Sequence, residues 1–225
     1  FPELDFSMLE SVTDLFNLEL KVSVTAISYN TTDPGGNPVI ASGIIVQPVG
    51  IPSRGVIHVP PTTPMSCLEG GSDLLIITEG VFDHSGQVCY DMHLAAMEYC
   101  YRYSPKPLPA EIDIFGYSGG ATCAVALLRH IDRLPRSPIR VKRLFAGGGL
   151  YNMHQTYNEL KDRGYAEYPL IPLLIASMDY WYNLNLAYSR VFTGSLLTNR
   201  ETWLDRTKNA EQMRALIDPQ LHTYM

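Results

Sequence analysis

Apolar and polar positions alternate most regularly over "KVSVTAISYN" and "PVIASGIIVQPVG", on either side of the turn-forming cluster Asp33-Pro34-Gly35-Gly36-Asn37-Pro38. A period of two broken by residues that favour turns predicts an antiparallel hairpin. "RGVIHVPPTT" predicts a short buried strand that must stop at Pro60-Pro61, because proline has no N–H to give to a ladder. The next two segments, "SDLLIITEGVF" and "SGQVCYDMHLAAMEYCYRY", read as helices. The second carries Val88, Met92, Ala95, Ala96 and Tyr99 at near-helical spacing. A strand ("IDIF"), a helix ("SGGATCAVALLRHIDRL") and a further strand ending in glycines ("IRVKRLFAGGG") follow. Strands alternating with helices give an α/β fold, expected to hold a mostly parallel sheet covered on both faces, with the hairpin at its N-terminal side.

The pattern changes after Gly149. Residues 151–225 are rich in Tyr, Leu, Asn and Met and show no strand period; three or four helices with breaks near Gly164, Pro169 and Gly194 are expected. The organisation is therefore a core over residues 1–150 and a helical cap over residues 151–225.

Composition narrows the function classes. The 225 residues carry 46% hydrophobic and 18% charged side chains, which suits a folded globular chain rather than a disordered one. A net charge of −6 with dispersed Lys and Arg leaves no basic footprint for nucleic acid or an anionic membrane. No apolar run is long enough to span a bilayer, and "FPELDFSMLESV" lacks the features of a signal peptide, so any such peptide has been removed. Cys67, Cys89, Cys100 and Cys123 form no CxxC pair and no Cys/His spacing suited to zinc. The last three fall on apolar helical faces and read as buried free thiols. Neither a metal nor a cofactor is expected.

The chemistry concentrates at Gly116-Tyr117-Ser118-Gly119-Gly120, a G-x-S-x-G pattern between a predicted strand and a predicted helix. In that context the serine sits on a strained turn, and the glycines on either side let strand and helix approach closely. The helix starting after Ser118 points its first amides at the site, so the Gly119 N–H is placed to stabilise an oxyanion. A glycine-rich structural or nucleotide-binding turn is the alternative, but no G-x-G-x-x-G or Walker sequence accompanies it.

"GYSGGA" after "IDIF", then "LFAGGGLYN" and a Tyr/Leu-rich helical stretch, resemble the secretory lipase and esterase family of α/β-hydrolases over most of the chain. The elbow is the sharpest of these motifs. The resemblance implies an α/β-hydrolase core, a helical cap, a Ser-Asp-His triad, carboxylic ester hydrolysis, and a secreted or cell-envelope location. The implied ligand is a small ester or lipid.

Three departures from the family pattern stand out. Where the family has His-Gly-Thr, this chain has Pro60-Pro61-Thr62-Thr63; Pro61 has no N–H, so the amide of Thr62 or Thr63 must supply the second oxyanion donor. The strand that the family places between the two helices is missing near Phe82-Asp83, and an interior strand of the sheet goes with it. No strand follows "IRVKRLFAGGG", so the loops that would carry the acid and base are missing too. Residues are expected to be absent after Phe82 and after Met225, the natural chain being longer.

The histidines and aspartates present offer no base or acid. His130 ends the helix that Ser118 starts, about 18 Å away at 1.5 Å per residue. His154 and His222 fall in the cap. His58, His84 and His93 precede the serine, against the family order, although His84 lies near the expected gap. Asp132, Asp162, Asp179, Asp205 and Asp218 read as exposed helix or cap positions. The apolar cap stretch "YPLIPLLIASMDYWYNLNLAYSRVF" offers Tyr180 and Trp181 as candidate acyl-pocket residues, against simple packing of cap on core. The leading expectation is a serine ester hydrolase. The alternatives are a serine peptidase on the same core and an inactive, ligand-binding module.

Overall fold

In the computed structural model, the described residues are 21–61, 81–104, 107–152, 154–156, 158–159, 171–192, 197–198, 212 and 215. The expected hairpin is present as β1 (Val22–Thr32) and β2 (Pro38–Pro48), paired antiparallel in one unbroken register. Its turn is closed from both ends. The Asp33 carboxylate accepts the Asn37 backbone and side-chain N–H groups at 2.9 Å each, and the Gly36 N–H reaches the Asp33 carbonyl. The Asn37 side-chain bond holds the Asp33 carboxyl below its ordinary pKa.

Among the described residues, three strands pair in parallel in the order β3-β4-β5: β3 (Ile57–His58), β4 (Glu111–Tyr117) and β5 (Arg140–Gly147). Two helices cross over between them, α1 (Phe82–Tyr103) and α2 (Gly119–Arg133). After β5 the structure describes α3 (Ile171–Tyr182) and the short α4 (Tyr188–Val191). Asp179 holds the turn after α3 by accepting the Leu186 N–H at 2.9 Å.

The core lies where α1 and α2 pack on β4. Ile112 and Ile114, on one face of β4, meet Cys89 and Tyr90 of α1 and Ala124, Leu127 and Ile131 of α2, with Ile139 closing the end. The helices approach closely because Gly86 has no side chain; a Cβ there would lie 2.4 Å from the Ala126 carbonyl oxygen. The hairpin covers α1 through its inward positions, Tyr29 and Ala41 against Val88, and Ile27 and Ile45 against Cys100. The buried Thr31 hydroxyl there donates to Asp91 at 2.7 Å.

The structure corrects two expectations, the start of α1 and the cover of the parallel sheet. The segment read as two helices meeting at Phe82-Asp83 has Phe82 and Asp83 in the first turn of a single helix, α1; the run before Val81 lies outside the described residues. The hairpin and the parallel strands are both present as expected, and among the described residues no ladder joins them. Among the described residues the parallel sheet is covered on the helix side alone, since Ile57, Val59, Phe115, Tyr117 and Phe145 are exposed on its strands and their ends. Cys89 and Cys100 are buried free thiols, as their helical faces predict, while Cys123 is half-buried; Cys67 lies outside the described residues.

One core feature was not anticipated. His58 of β3 and His93 of α1 are both 3% exposed, with Nδ1 atoms 3.2 Å apart and neither Nε2 atom partnered among the described residues. Burial holds both imidazoles well below their ordinary pKa, to about 3 at His58 and about 4 at His93, His58 being further lowered by its neighbour. Both rings are therefore neutral in the fold. An unfolded chain takes up protons on these rings below pH 6.5 and the folded one does not, so stability is full above that value and falls with pH toward about 4. The slope approaches 1.4 kcal/mol per pH unit for each ring. Urea unfolding of wild type and His93→Gln between pH 7 and 4.5 is expected to show a shallower acid slope in the variant.

Candidate active site

The site is built by the turn between β4 and α2. β4 alternates, placing Ile112, Ile114 and Gly116 inward and Phe115 and Tyr117 outward, so the chain leaves the sheet at Tyr117 with Ser118 next. Ser118 has φ 55° and ψ −127°, a conformation that costs a side-chain-bearing residue of order 1–3 kcal/mol. Its half-buried position leaves it at the sheet's C-terminal end.

Contacts on each side hold that strained turn. The Ser118 N–H donates to the Gly147 carbonyl at the end of β5, and its carbonyl accepts the Ala121 N–H in the first turn of α2. Gly116 and Gly120 meet with no room between them: a Cβ on Gly116 would lie 2.3 Å from the Gly120 carbonyl oxygen. Gly120 in turn lies under the chain after β3, where a Cβ would come 2.8 Å from the Pro60 oxygen and 3.0 Å from that of Pro61. A further clasp was not foreseen in the sequence. The buried Thr122 hydroxyl, one turn into α2, accepts the Leu150 N–H at 2.9 Å and ties the Gly148-Gly149 loop to the elbow helix.

The oxyanion side is half in view. Gly119 is the first residue of α2, so its amide has no partner within the helix and stands at the N-terminus beside Ser118. Pro60 and Pro61 lie against Gly120, which brings the chain leading to Thr62 and Thr63 to the same helix start; the two threonines lie outside the described residues. Tyr117 and Tyr151 are exposed and flank the glycine loop, the Tyr117 ring beside Gly148 and the Tyr151 ring against Gly149. Tyr151 had no sequence signal beyond its place after "AGGGL".

The described histidines are engaged elsewhere. His84 Nε2 meets the Thr32 carbonyl at 2.6 Å, at the end of the hairpin. His130 lies against Tyr90, ring centroids 5.1 Å apart, in the last turn of α2. His154 bonds Asn158 on the surface, and His58 and His93 face each other. Asp132 is exposed, and Asp179 serves the turn after α3; His222, Asp162, Asp205 and Asp218 lie outside the described residues. Trp181 packs at 3.5 Å from the position a Cβ would take on Gly35, in the hairpin turn, with Tyr180 in edge contact beside it. Among the described residues no group of three or more His, Cys, Asp or Glu is placed to hold a metal, and no helix is long and apolar enough to cross a membrane.

No family model matches the chain. No curated protein matches it by sequence. Solved structures do share its architecture. A candidate hydrolase from Legionella pneumophila superposes with a TM-score of 0.72 at 16% identity, covering 98% of this chain and 68% of that one. The rice cell wall degrading esterase LipA from Xanthomonas oryzae gives 0.63 at 17% identity, over 79% of this chain and 58% of its own. Candida antarctica lipase A gives 0.55 at 13% identity, over 94% and 54%. The chain thus has the α/β-hydrolase fold, and it spans between about half and two thirds of these structures' lengths.

Because a Cβ on Gly116 would collide with backbone rather than with a movable side chain, Gly116→Val is expected to push α2 off β4 and lower the thermal midpoint by several degrees. Thr122→Val, which keeps the volume and removes the acceptor, is expected to cost about 1–3 kcal/mol. Denaturant unfolding of both variants checks this.

Proposed function

We propose that this chain carries the nucleophile and part of the oxyanion hole of a serine carboxylic ester hydrolase. The observation that bears the reading is the backbone of Ser118. A strained conformation at a strand-to-helix turn, with a helix N-terminal amide next to the hydroxyl, is the geometry that acyl transfer needs. The solved structures that share the fold include an esterase and a lipase, which supports the reading.

In the reaction, the Ser118 Oγ attacks the ester carbonyl carbon while a base accepts its proton, and the carbonyl oxygen becomes an oxyanion. The Gly119 N–H donates to that oxygen, as does the amide of Thr62 or Thr63. Collapse expels the alcohol, protonated by the same base, and leaves an acyl-serine that water hydrolyses by the reverse proton path. The acid and base are assigned to residues outside the described ones. Exposed Tyr117 and Tyr151 flank the entrance, and with an apolar cap bearing Tyr180 and Trp181 they suit an aromatic or lipid-like acyl group. The resemblance of the sequence supports a secreted or cell-envelope setting.

Intact-mass measurement after incubation of the natural full-length protein with a fluorophosphonate probe tests the nucleophile. One adduct on wild type and none on Ser118→Ala is the expected result. An unlabelled, folded wild type would overturn the enzyme reading in favour of a ligand-binding module.

A further inference from the structure

The loop after β5 returns to the elbow, and two hydrogen bonds hold it there. At its start the Gly147 carbonyl accepts the Ser118 N–H at 2.9 Å. Three residues on, the Leu150 N–H donates to the Thr122 hydroxyl oxygen, also at 2.9 Å. Ser118 caps α2 and Thr122 lies one helical turn further along, with its side chain leaning back toward the start of the helix. The two bonds therefore close a small ring, with residues 118–122 on one side and 147–150 on the other.

The outer corner of this ring is soft. Gly147, Gly148 and Gly149 carry no side chain to restrict rotation, and the chain turns back toward α2 at Gly148, where φ is 67°. Packing adds little on that side, since a Cβ on Gly147 would meet only the exposed Tyr117 ring, at 3.9 Å. With the Gly147 anchor alone, rotation at the glycines would carry its carbonyl off the Ser118 N–H. The second anchor opposes that rotation. Thr122 is 7% exposed, so water has little access to replace its oxygen as the acceptor for Leu150.

Ser118 needs both of its peptide groups held, because its backbone angles relax unless the surroundings impose them. Its carbonyl is held within the first turn of α2 by the Ala121 N–H, while its own N–H depends on Gly147. We propose that Thr122 is a positioning residue for Ser118. By holding Leu150 it fixes the Gly147 carbonyl, and through it the angle at which the Ser118 hydroxyl and the adjoining Gly119 amide meet an acyl carbonyl. Thr122 acts through the backbone and contacts no reacting atom. The proposal rests on the reading of Ser118 as the nucleophile.

Fluorophosphonate labelling of the full-length protein over a range of probe concentrations separates the maximal rate from the half-saturating concentration. Wild type, Thr122→Val and Thr122→Ser are compared at a temperature where circular dichroism shows all three folded. Thr122→Val is expected to lower the maximal rate at least about 10-fold and to leave the half-saturating concentration within about twofold, because a misplaced nucleophile is slowed at bond formation. Thr122→Ser keeps the acceptor and is expected to restore most of the rate; Thr122→Ala replaces the valine variant if that does not fold. A residue that only stabilises the fold would lower the thermal midpoint and leave the folded protein's rate unchanged, and that result overturns the proposal. So does a loss that serine does not rescue. Hydrogen exchange of the Ser118 amide, resolved by electron-transfer fragmentation, is read on the same proteins and needs no labelling. Faster exchange in the valine variant alone supports the proposal, and equal exchange in all three overturns it. Folded wild type that takes no probe overturns the enzyme reading instead, and the exchange result then decides by itself whether Thr122 holds Ser118.

Discussion

The contact between Gly116 and Gly120 is the constraint on which the site depends. It fixes how near α2 can come to the end of β4, and that distance forces Ser118 into a conformation a residue with a side chain adopts only when its surroundings impose it. The strain is supported from outside the turn. β5 receives the Ser118 N–H, the proline segment after β3 sits on Gly120, and Thr122 holds the loop after β5. Three separate strands thus converge on one residue, and the hydroxyl is presented by the sheet as a whole.

The parts of this arrangement that sequence made legible are those written in local periodicity and turn chemistry. The hairpin follows from alternation around Asp33–Asn37, and the elbow from a β-branched run meeting G-x-S-x-G and then an alanine-rich helix. What stayed hidden depends on pairing at a distance. Thr122 looked like any residue of a helix's first turn, because its partner, Leu150, is 28 positions away. His58 and His93 drew notice only as histidines that precede the serine, and nothing local shows that their rings meet. The start of α1 was misplaced for a related reason: Phe82 and Asp83 lie next to an apolar run whose composition suits helix and buried strand alike, a distinction periodicity alone cannot make over so few residues.

The histidine pair bears on the elbow as well. Two neutral rings whose Nε2 atoms find no partner among the described residues are costly in a buried position, where each unpaired group forfeits about 1–3 kcal/mol. The rings stand on β3 and on α1. The chain that continues from β3 lies on Gly120 through Pro60 and Pro61, and α1 packs with α2 over β4. The contact between the two rings therefore joins the strand that leads to the oxyanion segment to the helix that backs the elbow. Acid that protonates either ring would act on the elbow's support before it acts on Ser118, because the charge would appear in the contact between β3 and α1.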